Sequence, residues 1–252
     1  MKSLYAIKTL FFIFLTIQSM WSQTAFDKAN EQYRKGDFAN AVETYESILK
    51  SGKESAELYF NLGNAYYKQN KVAPAIYNFE KALLLNPNDK EAKNNLAFAQ
   101  KMQIDEIKEV KKIGLRHWIG GFTSAVHYNT WAMIAVGCAA LFLIMFLGYY
   151  FAASTLYKRI FFGGMFVVLT LILLSVFAAV FERENYVSEK PAIVFSPIVG
   201  VKSEPSEDAD DAFVLHEGTK VYVTEKLDDW RKIELPDGNQ GWIEHAAIKE
   251  LK

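Results

Sequence analysis

The sequence has a single cysteine, Cys138, so no intrachain disulfide can form. Cys138 sits inside an uncharged run and has no second thiol to work with, which excludes dithiol redox chemistry. The four histidines, His117, His127, His216 and His245, include no pair at metal-ligand spacing. A Gly-x-Ser-x-Gly elbow, a phosphate-binding glycine run and a dinucleotide fingerprint are all missing. The acidic stretch Ser203 to Asp211 (SEPSEDADD) lacks the ordered spacing and glycine of a calcium loop, and reads as a mobile loop. No metal or cofactor is therefore expected. The chain reads as a non-enzyme, because catalytic carboxylates need a cleft to shift their pKa values and small domains offer little room for one.

A dense basic patch is also missing. Residues 23–112 carry 14 basic and 13 acidic side chains, a difference of +1; residues 182–252 carry 9 and 16, a difference of −7. Phosphate neutralisation needs clustered Lys and Arg, so nucleic acid is not an expected partner. The acidic C-terminal part is repelled by anionic headgroups.

Charge is wholly absent from Asn129 to Tyr157 and from Ile160 to Phe181. Within the first run, the 21 residues Trp131–Phe151 would span about 31 Å as a helix, enough to cross a bilayer. A short loop, 152–159, makes the spans 131–151 and 160–181 antiparallel neighbours. Tyr128 and Trp131 at one end, with Tyr149 and Tyr150 at the other, suit headgroup belts. Gly163, Gly164, Ala178 and Ala179 offer small faces for helix contact. Lys158 and Arg159 place the loop in the cytoplasm, which puts both flanks outside. Trp118, Ile119 and Phe122 mark 113–130 as an interfacial segment, in contact with membrane lipid. At the N-terminus, Lys2 and Lys8 flank the apolar Leu10–Ile17, and Ser22 follows a polar stretch, as in an export signal over residues 1–22. Cleavage after Ser22 or retention as an anchor would both deliver the following residues across the membrane.

Residues 23–112 repeat at a period of 34. GDFANAVETYESILK from Gly36 matches NKVAPAIYNFEKALL from Asn70, placing Ala41 on Ala75, Val42 on Ile76 and Tyr45 on Phe79. Residues 56–89 add Tyr59, Leu62, Gly63, Tyr66, Ala82 and Pro87, and so resemble a tetratricopeptide repeat, a helix–turn–helix unit of this length. The preceding unit, 22–55, departs from the pattern at Lys28 and Gln32, with Tyr33 positioned to pack instead. A capping helix is predicted over 90–112, with Ala92, Leu96 and Ala99 inward.

Tetratricopeptide resemblance implies a concave groove that holds a partner segment. Asn30 and Asn64, like Asn61 and Asn95, are one repeat apart and have the amide chemistry to clamp a peptide backbone. Tyr33, Phe60 and Tyr67 are the apolar candidates. Basic residues of carboxylate-binding versions are absent at Phe26 and Glu91. The alternative reading is of solvated asparagines on helix surfaces.

In residues 182–252 the hydrophobic period becomes two, along Lys220–Thr224 and Trp230–Glu234. Turns are predicted at Glu217-Gly218-Thr219 and Pro236–Asn239, and a further strand at Gln240–Ile243. HEGTKVYV followed by DDWRKIELPDGNQGWIE resembles the bacterial SH3-type domain, which implies peptide or cell-wall binding. Tyr222, Trp230 and Trp242 are the candidate surface residues, although the small size of the domain favours the core for the two tryptophans.

The predicted fold class is thus a multidomain membrane protein: all-α tetratricopeptide hairpins, a two-helix transmembrane hairpin and a small all-β SH3-type barrel. This order resembles the BatE-like tetratricopeptide members of the Bat (Bacteroides aerotolerance) membrane proteins. The resemblance implies a bacterial inner-membrane protein with both soluble domains in the periplasm. It also implies partner Bat proteins with von Willebrand-type domains and a role in oxidative or envelope stress. Peptidoglycan is the alternative partner, held by the β-domain.

Overall fold

The computed structural model describes residues 25–107, 114–124 and 126–252. The chain forms two compact units, residues through Glu109 together with Pro191–Lys252, and Val110–Lys190. The predicted export signal, 1–22, lies outside the described residues.

In the first unit, helix α1 (residues 25–34) pairs with α2 (Phe38–Lys50), and α3 (Ala56–Lys68) with α4 (Val72–Leu85); α5 (Lys90–Gln100) covers the end. Polar side chains start three of these helices by accepting otherwise unpaired N–H groups: Asp37 from Asn40, Ser55 from Leu58, and Asp89 from Glu91 and Ala92. Pro74 lies in the first turn of α4, where a missing N–H is tolerated. The core sets large Tyr45, Leu62, Ile76 and Phe79 against fully buried Ala29, Ala41, Ala65 and Ala75. Small residues let the helices approach and the large ones fill what remains.

Gly63 is the tightest of these contacts. A Cβ there would stand 2.8 Å from Cδ1 and Cε1 of Phe79, a ring only 1% exposed and with nowhere to retreat. Gly63→Ala is therefore expected to lower stability by about 1–2 kcal/mol despite the better helix propensity of alanine. A lowered thermal midpoint of the purified chain checks this; an unchanged or raised midpoint contradicts the contact.

The predicted capping helix is shorter than its sequence span of 90–112. Its apolar stripe, Ala92–Leu96–Ala99, ends at Ala99, and the helix stops at Gln100. The chain beyond runs without helix through Ile107 and turns its polar side chains toward the β-domain.

That domain is one antiparallel sheet of β1 (Pro191–Val194), β2 (Ile198–Lys202), β3 (Asp211–His216), β4 (Lys220–Leu227), β5 (Trp230–Glu234), β6 (Gln240–Glu244) and β7 (Ile248–Glu250). The strand order is β3-β2-β6-β5-β4-β1-β7. Val194, Val201, Val221, Val223, Ile233 and Ile243 fill its interior. Alternation along each strand sends every second side chain inward. Asp211, read in the sequence as part of the acidic loop, belongs to β3, and its carboxylate pairs with Lys202 at 3.0 Å.

The change of hydrophobic period divides helices and strands into separate domains; in the structure they share a core. Buried Ile193 and Leu251 of the β-domain join the cluster built around Tyr45 and Phe79. The Tyr77 and Phe195 rings meet edge to face at 5.7 Å. Lys220 Nζ lies 2.8 Å from Glu80 Oε2. From the connector after α5, Gln103 Nε2 donates to the Gly218 carbonyl. Asp105 accepts from the His216 N–H at 2.7 Å and the Thr219 hydroxyl at 2.7 Å, and pairs with the His216 ring at 2.8 Å.

The second unit holds α6 (Leu115–Thr123), α7 (Tyr128–Phe151) and α8 (Thr155–Ser188). The last two are apolar helices long enough to span a membrane. Helix α7 starts at Tyr128, ahead of its predicted span, and ends with it at Phe151, whereas α8 outruns its own at both ends, because Thr155–Arg159 and the charged Glu182–Ser188 continue the helix rather than belonging to the loop and the β-domain. Their contact surface is lined by small residues. A Cβ on Gly164 would meet Met145 Sδ at 2.8 Å, and one on Gly148 the Phe161 ring at 2.8 Å. Gly163, predicted for this contact, has nothing within 4 Å. Leu143, Ile144, Val167, Leu173 and Leu174 are exposed, an outward apolar surface that water does not favour. In α6, Trp118 and Phe122 are 82% and 69% exposed. Behind them, Thr123 donates to Glu182 at 3.0 Å and its carbonyl accepts from Trp131 Nε1 at 2.9 Å.

Candidate functional site

The predicted groove asparagines are half-buried and bonded to one another rather than independent. Asn61 Nδ2 donates to Asn30 Oδ1 at 3.0 Å, and Asn95 Nδ2 to Asn64 Oδ1 at 2.7 Å. Each bond joins residues 31 apart, and the second is the first displaced by one repeat. The helical spacing places the donor one turn nearer its helix start than the acceptor's equivalent, so neighbouring first helices are stitched together. The same bond recurs because the repeat recurs.

Four predicted residues, Asn30, Tyr33, Asn61 and Asn64, line a common cavity of about 200 Å³. Asn95 joins them through its bond to Asn64. Phe60 and Tyr67 do not line it: both are half-buried against the helical core, with the Phe60 ring 6.0 Å from that of Phe79. Two residues missed in the sequence complete the cavity, Arg34 and Tyr45. Arg34 lies four residues after Asn30 on α1, hence on the same face. Its guanidinium supplies a basic group that the repeat positions at Phe26 and Glu91 do not. As the repeat counterpart of Phe79, Tyr45 is expected from the sequence only in the core. Its extra hydroxyl donates to Asn30 Oδ1 at 2.5 Å.

Burial pushes the Tyr45 phenol up to about 12, so it remains a donor at neutral pH. With Tyr45 and Asn61 both donating to Asn30 Oδ1, the Asn30 Nδ2 is directed elsewhere. Among the described residues, Asn30 Nδ2, Asn64 Nδ2 and Asn61 Oδ1 make no side-chain hydrogen bond with one another or with neighbours. Donors and an acceptor held in fixed positions by a shared network suit the alternating N–H and C=O groups of an extended peptide.

On the β-domain, Tyr222, Trp230 and Trp242 share strand parity opposite to the interior Val221, Ile233 and Ile243. Trp242 faces Lys232 across the β5–β6 pair, and the Lys232 ammonium lies 5.9 Å from its ring centroid. Both tryptophans are half-buried on the outer surface, so of the two positions the sequence allowed, the core is not theirs. The interior beside Trp242 has no space for it: a Cβ on adjacent Gly241 would already stand 2.6 Å from Val201.

The helical part is built of tetratricopeptide repeats. The family model for the tetratricopeptide repeat matches residues 56–89, and a further TPR repeat model matches residues 29–70. A bacterial SH3 domain model matches residues 196–250, spanning β2 to β7. No curated protein matches the chain. The repeats suggest protein–protein interaction and the SH3 domain suggests cell-wall binding.

Proposed function

We propose that this chain is a non-enzymatic, membrane-anchored scaffold that holds a partner protein through its tetratricopeptide groove. The observation that carries the reading is the asparagine network at Asn30, Asn61, Asn64 and Asn95, the first three of which line a cavity together with Arg34 and Tyr45. The chain is anchored in the bacterial inner membrane by α7 and α8, with both soluble parts in the periplasm. Shared packing of the repeats and the SH3 domain supports this topology, since parts with a common core must lie on one side of a bilayer. The order of repeats, paired apolar helices and SH3 domain supports membership of a Bat-type aerotolerance or envelope-stress complex. Its partners there are Bat proteins with von Willebrand-type domains.

Crosslinking in intact membranes followed by mass spectrometry tests the groove. Asn61→Ala together with Asn64→Ala is expected to remove the principal crosslinked partner, each lost backbone clamp weakening binding by about 1 kcal/mol or more. An unchanged partner set refutes the assignment. Protease added outside spheroplasts is expected to cut in both the repeats and the SH3 domain; cleavage of only one refutes the topology.

The outward Tyr222, Trp230 and Trp242 support a second reading, in which the SH3 domain binds peptidoglycan. Sedimentation of the detergent-solubilised full chain with purified sacculi, lost on Trp242→Ala, would favour it. The full chain is needed because isolating the β-strands would expose Ile193 and Leu251.

A further inference from the structure

A second cavity, of about 350 Å³, lies where α2, α3 and α4 meet the SH3 domain. It draws on faces of the repeats that the asparagine groove does not use. Its walls are aromatic: Tyr59, Tyr66 and Tyr77 from the helices and Phe195 from the strand side. Lys249 reaches into it, with Nζ 4.3 Å from the Tyr77 ring centroid and 5.7 Å from that of Phe195. The one carboxylate lining the cavity, Glu46, accepts the Tyr66 hydroxyl. Among the described residues no carboxylate forms an ion pair with Lys249.

This is an unusual position for an ammonium. Burial lowers the pKa of Lys249; the Glu46 charge works against that shift and the Lys81 charge adds to it. Ring faces stabilise the cation only in part. A carboxylate brought to Nζ would form the charge-assisted bond that the protein itself leaves unmade. The tyrosine and phenylalanine walls would at the same time favour an aromatic side chain, edge to face or offset. The volume is at the small end for ligand cavities, enough for one or two side chains and too little for an acyl chain with its headgroup.

We propose that this cavity is a second binding site, which takes an acidic segment of a partner protein by seating an aromatic side chain among the tyrosines and its adjacent carboxylate on Lys249. The site exists only while the SH3 domain is docked, because Phe195 and Lys249 come from the SH3 side and the tyrosines from the repeats. It does not depend on the asparagine groove being occupied.

The test uses the detergent-solubilised full chain and N-acetyl-4-benzoylphenylalanine, a photoreactive aromatic acid. Irradiation is expected to place the adduct on residues lining this cavity. Excess N-acetylphenylalanine should suppress the adduct, whereas its uncharged methylamide should need about tenfold higher concentration, the loss of one charge-assisted contact. Lys249→Met should reduce labelling about tenfold and Lys249→Arg should preserve it, while Asn61→Ala should leave it unchanged. Equal competition by acid and amide on the unaltered chain overturns the proposal whether or not any variant folds. So does an adduct mapped to the Asn30–Asn64 groove, or the absence of an adduct.

Discussion

Asp105→Ala is expected to destabilise the unit of repeats and SH3 domain by about 3 kcal/mol, the largest effect of any single substitution considered. The carboxylate accepts from the His216 N–H, the His216 ring and the Thr219 hydroxyl, all at 2.7–2.8 Å. Thr219 is buried, so deleting its acceptor leaves a desolvated hydroxyl beside an unpaired backbone amide. A hydrogen bond to a charged group contributes about 1.5–3 kcal/mol, and three on one carboxylate do not add fully. Chemical unfolding should show a lower midpoint with an unchanged slope. Exchange of the His216 amide should accelerate; if its protection survives, the bond is not the one described. A pH dependence follows. Burial raises the pKa of Asp105, but the hydrogen bonds from Thr219 and His216, with the charge of the His216 ring, outweigh it and hold the carboxyl below the usual aspartate range. A folded value below the unfolded one means the stabilisation is complete above about pH 4 and is lost as pH falls through the folded pKa. Asp105→Asn should flatten that acid limb of the stability profile.

Gly218→Val should cost nearly as much, also about 3 kcal/mol, for a different reason. Gly218 turns the chain between β3 and β4 at φ +91°, a conformation that a β-branched residue resists by about 1–2 kcal/mol. Its missing side chain is also what lets the turn rest on α4: a Cβ would stand 3.1 Å from both Ile76 Cδ1 and Val72 Cγ1, and 3.3 Å from Gln103 Cγ. Overpacking adds about 1–3 kcal/mol. Strain and crowding both act at the junction, so limited proteolysis should accelerate in the connector, residues 101–107. Gly218→Ala should lie between the parent and Gly218→Val. Identical cleavage rates for all three would mean that the turn does not bear on α4.

The parts of this fold legible in the sequence were those written in short-range periodicity. Ala41, Tyr45, Ala75 and Phe79 announced the helix pairs by their spacing, and Val221, Val223 and Ile233 announced the strands by theirs. Docking was not legible, because its residues follow neither period. Asp105 and Gln103 sit in a segment after Ala99 with no apolar pattern, and their partners lie more than a hundred positions away. Leu251, 1% exposed, lies outside both periods, yet it is a peg in the helical core. The groove was partly readable: asparagines one repeat apart drew attention to themselves, but their bonds run between repeats at a separation that no comparison of aligned repeats reveals. Phe60 and Tyr67 were misplaced because a helical position fixes a face only to within about one residue, and here the core claimed that face.

The rung from Asn95 to Asn64 copies the one from Asn61 to Asn30, so it is a property of the spacing and not of either unit. A chain carrying an extra copy of residues 56–89 after Asp89 would acquire a third rung with no new chemistry, and its recognition strip would lengthen by one helix pair. Reach, on this plan, comes in whole steps. Duplication of a single stretch of gene can change how long a segment is gripped while leaving the closing helix and its attachment to the strands as they are.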